Sequence, residues 1–155
     1  MSIEFTIWRI TLTAYERAAE AGALGPERVA VEEAVSKDWD VLARILADGR
    51  VPLPVTGAAR AIAGGEVLPE DDLDNGGTRV LSPALVREVA GDLAELGDAD
   101  IESRYLTVDF TDCYGTNEGG AHASPVENYL TSFHRLRQFY TEAAKSGDAM
   151  AVWLG

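Results

Sequence analysis

SPVENYLTSFHRLRQFYTEAAKSGDAMAVWL, residues 124–154, is the stretch whose reading decides the fold. Ser124-Pro125-Val126-Glu127 reads as a helix start. Serine can cap, proline tolerates an early position where its missing N–H costs nothing, and a glutamate three residues after the serine completes a capping box. Behind it Tyr129, Phe133, Leu136, Tyr140 and Ala143 recur at spacings of four, three, four and three. That rhythm puts them on one face of a helix running to about Ser146. Gly147 stops the helix, and Ala149 to Leu154 is a short apolar run that reads as a buried strand. A long amphipathic helix delivered straight into a strand calls for a sheet with helices packed on it.

The rest of the chain supplies the other layers. Residues 3–10 place Ile3, Phe5 and Ile7 in alternation, followed by Trp8 and Ile10, which predicts a strand. The first and last strands are therefore expected in one sheet. Thr13-Ala14-Tyr15-Glu16 has a capping-box pattern for a helix to about Ala21, with Gly22 as its stop. Val35, Trp39, Leu42 and Leu46 predict a helix over 35–47, with Ser36 as a weak cap and Gly49 as a stop. Pro52, Pro54 and Gly57 exclude regular helix over 50–57. Residues 58–63 read equally as a short helix or a strand, closed by Gly64-Gly65, and 66–78 as an acidic loop. Arg79-Val80-Leu81 is a short strand, and Ser82-Pro83 opens a helix with the stripe Leu85, Val89, Leu93 and Leu96. Asp98 is placed to cap a further helical turn through Ile101 and Tyr105, and Leu106, Val108 and Phe110 alternate like a strand. The expected architecture is one α+β domain over 1–155: a small mixed sheet containing the first and last strands, packed by three principal helices.

Composition narrows the classes of function. The net charge is −13, and residues 61–125 carry 14 acidic against 3 basic side chains. Such a field repels phosphate backbones, so no nucleic-acid partner is expected, whereas a basic protein would be attracted. No apolar stretch approaches the ~18 residues that span a bilayer, and no basic n-region precedes an apolar run at the N-terminus, so no membrane association is expected. Cys113 is the single cysteine, which suits a reducing compartment, and the expected address is the cytoplasm.

The segments that carry the architecture also carry a resemblance. Leu12-Thr13 after the first strand, Lys37 and Trp39 in a lysine–x–tryptophan pattern, and Ile62-Ala63-Gly64-Gly65-Glu66 come first. Arg79-Val80-Leu81-Ser82-Pro83 with Val86 follows. Phe139-Tyr140, Ala143-Ala144 and Gly147-Asp148-Ala149 complete the series. In this order and spacing the chain resembles the YfbM-like family, a bacterial family of unknown function, over nearly its whole length. Ser36 departs from the acidic residue frequent in that family, and residues 111–123 are unusually rich in glycine. The resemblance implies an α+β fold and brings no activity with it.

No catalytic signature stands out. Asp72-Leu73-Asp74-Asn75-Gly76-Gly77 begins like a calcium loop, but position twelve falls on Pro83, where a bidentate glutamate is needed. Cys113 and His122 lie among Asp109 and Asp112, and that acidic setting should raise the thiol pKa and weaken the nucleophile. His134 reads as a helix-surface histidine. Paired His/Cys zinc spacing and glycine-rich phosphate loops are missing, so no metal and no cofactor is expected. The candidate binding residues are Lys37, Trp39, Asp72, Asp74 and Arg79. Trp39 reads as core on its helix stripe. Lys37 points off that face, where it can pair with the acidic loop 70–74 or line a cleft. Two functions are carried forward. One is a non-enzymatic interaction or regulatory module whose acidic face meets a basic protein. The other is a small-molecule-binding or hydrolytic enzyme with a cleft near Lys37, Arg79 and the loop 70–74.

Overall fold

A computed structural model describes residues 3–36, 38–71, 77–114, 116 and 124–155, with only the backbone of 31–36. Its centre is a five-stranded sheet. The strands are β1 (Phe5–Ile10), β2 (Ala30–Ser36), β3 (Glu66–Val67), β4 (Thr78–Leu81) and β5 (Ala149–Leu154). Their order in space is β2-β1-β5-β4-β3. The first and last strands are central neighbours, in register from Phe5↔Leu154 to Ile10↔Ala149, and Glu4 and Gly155 exchange backbone hydrogen bonds just beyond. Every pairing is antiparallel, which narrows the mixed sheet expected.

Six helices are described: α1 (Leu12–Ala21), α2 (Trp39–Leu46), α3 (Arg60–Ala63), α4 (Pro83–Ala94), α5 (Asp98–Thr107) and α6 (Val126–Ser146). The pleat sorts residues between two unequal layers. Phe5, Ile7, Leu81, Met150 and Val152 face one way and join the larger core with α2 to α6. Ile10, Val80, Ala149 and Ala151 face the other way, against Ala14 and Ala18 of α1. Helix α6 is the keystone of the larger layer. Tyr129, Phe133, Leu136, Tyr140 and Ala143 are all fully buried, as the spacing predicts. The Tyr140 hydroxyl donates to the Ala61 carbonyl at 2.8 Å, tying α6 to α3. Gly147 closes α6 in the left-handed conformation at φ 71°, and the Asp148 N–H returns to the Ala143 carbonyl at 2.9 Å. Asp148 then accepts from Arg9 of β1 at 2.8 Å, which locks the helix end to the sheet.

Several local expectations give way to tertiary structure. Val35 and Ser36 belong to β2 and not to a helix. β2 pairs with β1 from Arg9↔Ala30 to Phe5↔Ser36, and ladder hydrogen bonds override the helical rhythm that Val35 begins. Helix α2 starts at Trp39 with Asp38 in the N-cap position, so the cap position expected at Ser36 lies instead at Asp38. Thr11, not Thr13, caps α1, accepting from the Ala14 N–H at 3.1 Å, because Leu12 is already helical. The Ser124–Glu127 capping box does not form. Pro125 is the N-cap, and the Ser124 hydroxyl donates to the Asp38 carboxylate at 3.1 Å. Asp98 is the first residue of α5 and not its cap; Asp100 accepts from the Gly97 N–H at 2.8 Å instead. Residues 106–110 are no strand: Leu106 and Thr107 end α5, and Leu106 is 79% exposed. Three alternating residues are too short a signal against a capped helix. The acidic loop contains a short strand, β3, because Glu66 and Val67 find partners in Val80 and Arg79. Gly65 makes that approach possible at φ 92°, since a Cβ there would sit 2.7 Å from the Val80 carbonyl oxygen. The Ser82 cap holds, accepting from the Leu85 N–H at 3.2 Å. On α4, Val89 and Leu93 are buried with Val86 and Ala90, and Leu85 is half-buried; Leu96, expected on the same stripe, lies just past the helix end and is half-buried.

Candidate functional site

Of the candidate binding residues, Lys37, Asp72 and Asp74 lie outside the described residues, as does His122. Trp39 and Arg79 are described, and each is anchored separately. Trp39 is half-buried against the larger core; its indole N–H donates to the Ile3 carbonyl at 3.2 Å, and its ring stacks on Tyr114 at 5.8 Å. Arg79 lies on the core-facing side of β4 and donates to the Ala63 carbonyl at 3.3 Å, where it closes the C-terminal end of α3.

Around the start of α2 a polar knot forms. Asp38 accepts from Ser124, whose carbonyl accepts from the Tyr105 hydroxyl at 3.1 Å. Asp40 accepts from the Tyr114 N–H at 2.8 Å, and the Tyr114 hydroxyl accepts from the Ile3 N–H at 2.9 Å. Burial, with the Asp38 charge adding to it, pushes the Tyr129 phenol up to about 12. These bonds fasten Tyr114 and Ser124 to the start of the helix, which is structural work. Cys113 is buried beside the knot. Burial, then the charge of Asp40, pushes its thiol up to about 11, so the nucleophilic thiolate is scarce at neutral pH. No group of three or more His, Cys, Asp or Glu residues among those described could hold a metal ion.

The opposite face of the sheet holds a different arrangement. α1 covers the Ile10 end of that face and leaves the other end open. There a groove of about 320 Å³ is lined by Trp8, Leu24, Arg28, Asp71, Thr78 and Trp153. Trp8 of β1 and Trp153 of β5 share this side of the pleat, and Thr78 is the cross-strand partner of Trp153. Trp153 is 36% exposed. The Arg28 guanidinium lies 4.8 Å above the Trp8 ring, a cation–π contact. Desolvation there lowers the Arg28 pKa, and the Asp71 charge partly restores it. Sequence reading did not single out Trp8, Arg28 and Trp153. A signal existed: Phe5 and Ile7 share one parity in β1, while Trp8 and Ile10 share the other, so large apolar groups face both ways.

Acidic side chains lie outside. Glu66 and Glu70 are exposed and lead into half-buried Asp71. Glu88, Glu95, Asp98, Asp100 and Glu102 are exposed on α4 and α5. Several arginines turn inward instead. Arg60 meets Asp92 at 2.8 Å and Glu88 at 3.1 Å, and Arg104 donates to the Ile45 carbonyl at 3.0 Å. His134 sits on the surface, 2.6 Å from Asp98.

Comparison with known proteins places this fold. The model of a domain of unknown function, DUF1877, matches residues 4–153. The chain belongs to this family. The crystal structure of YfbM from Escherichia coli, titled a protein of unknown function, is similar at TM-score 0.62 and 13% identity. The match covers 98% of this chain and 99% of that one, and at this identity it speaks for the fold. No curated protein sequence matches the chain. The family's description names no activity. Among its described residues, no helix is long and apolar enough to cross a membrane.

Proposed function

We propose that the protein is a non-enzymatic interaction module that meets a basic partner on the open side of its sheet. One observation carries this reading. An open groove floored by two tryptophans has Asp71 as one of its walls, and exposed Glu70 and, on edge strand β3, Glu66 precede it in the chain. Aromatic faces beside carboxylates suit cationic side chains, and the surrounding negative field steers them inward. The sequence continues the acidity with Asp72 and Asp74. A hydrolytic cleft around Arg79 has less support, because Arg79 is engaged with the Ala63 carbonyl.

The test separates a docking surface from mere net charge. A nona-arginine peptide is titrated against wild type, Glu66→Lys/Glu70→Lys, and Glu95→Lys/Glu102→Lys. Both double variants change the net charge equally. The expected result is salt-sensitive binding that the first pair weakens far more than the second. Equal weakening would mean a general electrostatic attraction and would overturn the reading.

A further inference from the structure

We propose that the face of Trp8 is a cation seat, filled in the free protein by Arg28 and yielded to a lysine or arginine side chain of the partner. The inference deepens the basic-partner reading and rests on it. A seat is already visible, because a guanidinium occupies it at 4.8 Å from the ring centroid. The occupant belongs to the loop between α1 and β2. Its Nη1 donates to the carbonyls of Gly25 and, at 3.0 Å, Glu27, both in that same loop. These bonds are internal to the loop, so they need not break when the guanidinium leaves the ring; the loop itself stays tied to β1 by the Val29 N–H, which donates to the Arg9 carbonyl at 2.8 Å.

Charge selects what replaces it. Arg28 and Asp71 balance one another across the groove, so withdrawal of Arg28 leaves the Asp71 carboxylate facing Trp8 and Trp153. An incoming anion would meet Asp71 and a chain of net charge −13. A neutral apolar group would gain the indole faces but give Asp71 no counter-charge. An ammonium or guanidinium satisfies both, and the groove extends past Trp8 to half-exposed Trp153, where a second residue of an extended basic segment can lie. Arg28 is then an internal competitor, and its occupancy lowers the apparent affinity for the partner's cation.

This arrangement makes an uncommon prediction: removing a residue from the site should tighten binding. The full-length chain is titrated with a nona-arginine peptide, following tryptophan fluorescence. Arg28→Ala should bind about three- to thirty-fold more tightly than wild type, the range set by one cation–π contact. Arg28→Gln loses the charge but keeps a longer polar side chain than alanine, and should also tighten binding, so the result does not rest on the truncation to alanine alone. Trp8→Phe keeps an aromatic core residue but a poorer cation partner, and should weaken binding measurably. Unchanged or weaker binding by both Arg28 variants, or indifference to Trp8→Phe, overturns the seat. If the Glu66→Lys/Glu70→Lys effect persists alongside that outcome, the basic-partner reading stands and only the seat falls. A wild-type chain that binds no basic peptide removes both.

Discussion

The two faces of the sheet use the same strands and reach opposite ends. On one face Phe5, Ile7, Leu81 and Met150 are 0–1% exposed beneath five helices. On the other, one short helix contributes two buried alanines, and two tryptophans remain partly open. The closed face has hydrogen bonds that bind its helices together, such as Tyr140 to Ala61. The open face has instead a cation–π contact, a guanidinium resting on a ring. The stability of the domain is thus concentrated on one face, which leaves the other free for recognition.

The sharpest break of this comparison comes from truncating each face in turn. Phe133→Ala removes a fully buried ring of the closed face and should cost about 3–5 kcal/mol in chemical denaturation. A smaller effect belongs to Cys113, which reports whether the closed face excludes water. Its thiol is raised from an ordinary 9.0 to about 11 in the folded chain. The folded state therefore holds a proton that the unfolded state has lost. The stabilising effect of the protonated thiol is fully present below pH 9.0 and declines as pH rises towards about 11. Alkylation of native protein should stay slow at neutral pH and accelerate across that window. Rapid reaction at pH 7 would mean the face is open. A smaller truncation effect is expected on the groove side: Trp153→Ala should cost about 1–2 kcal/mol, because more than a third of the residue is already exposed. A cost near that of Phe133→Ala would show that the second face is core after all.

This asymmetry also explains what was legible in the sequence. The closed face is written in plain patterns along single elements: the α6 stripe from Tyr129 to Ala143, the Ser82-Pro83 start and the terminal strands all read correctly. These signals are local and repeated, so tertiary packing reinforces them. Strand β2 was illegible because its identity comes from pairing with β1, and Val35 in isolation fits a helix as well. The Ser124 capping box does not form because the helix starts at Val126, which makes Pro125 the N-cap and leaves the Ser124 hydroxyl to donate to Asp38. The groove was hidden for a further reason. Trp8, Arg28, Asp71 and Trp153 are scattered over the full length of the chain, and only the strand order β1-β5-β4 gathers them. Among the candidates, Arg79 and Trp39 turned out to be anchored at separate places, which no spacing rule reports.

The three tryptophans give the most direct measurement of the central claim, that the open face is the one that meets a basic partner. Each indole N–H gives its own resonance in a proton–nitrogen correlation spectrum. Trp8 and Trp153 line the groove, while Trp39 is tied to Ile3 and stacked on Tyr114 in the larger core's periphery. On titration with a nona-arginine peptide, the Trp8 and Trp153 signals should shift together along one binding curve, and the Trp39 signal should stay in place. A shift confined to Trp39, or none at Trp8 and Trp153 while the peptide binds, would contradict the account.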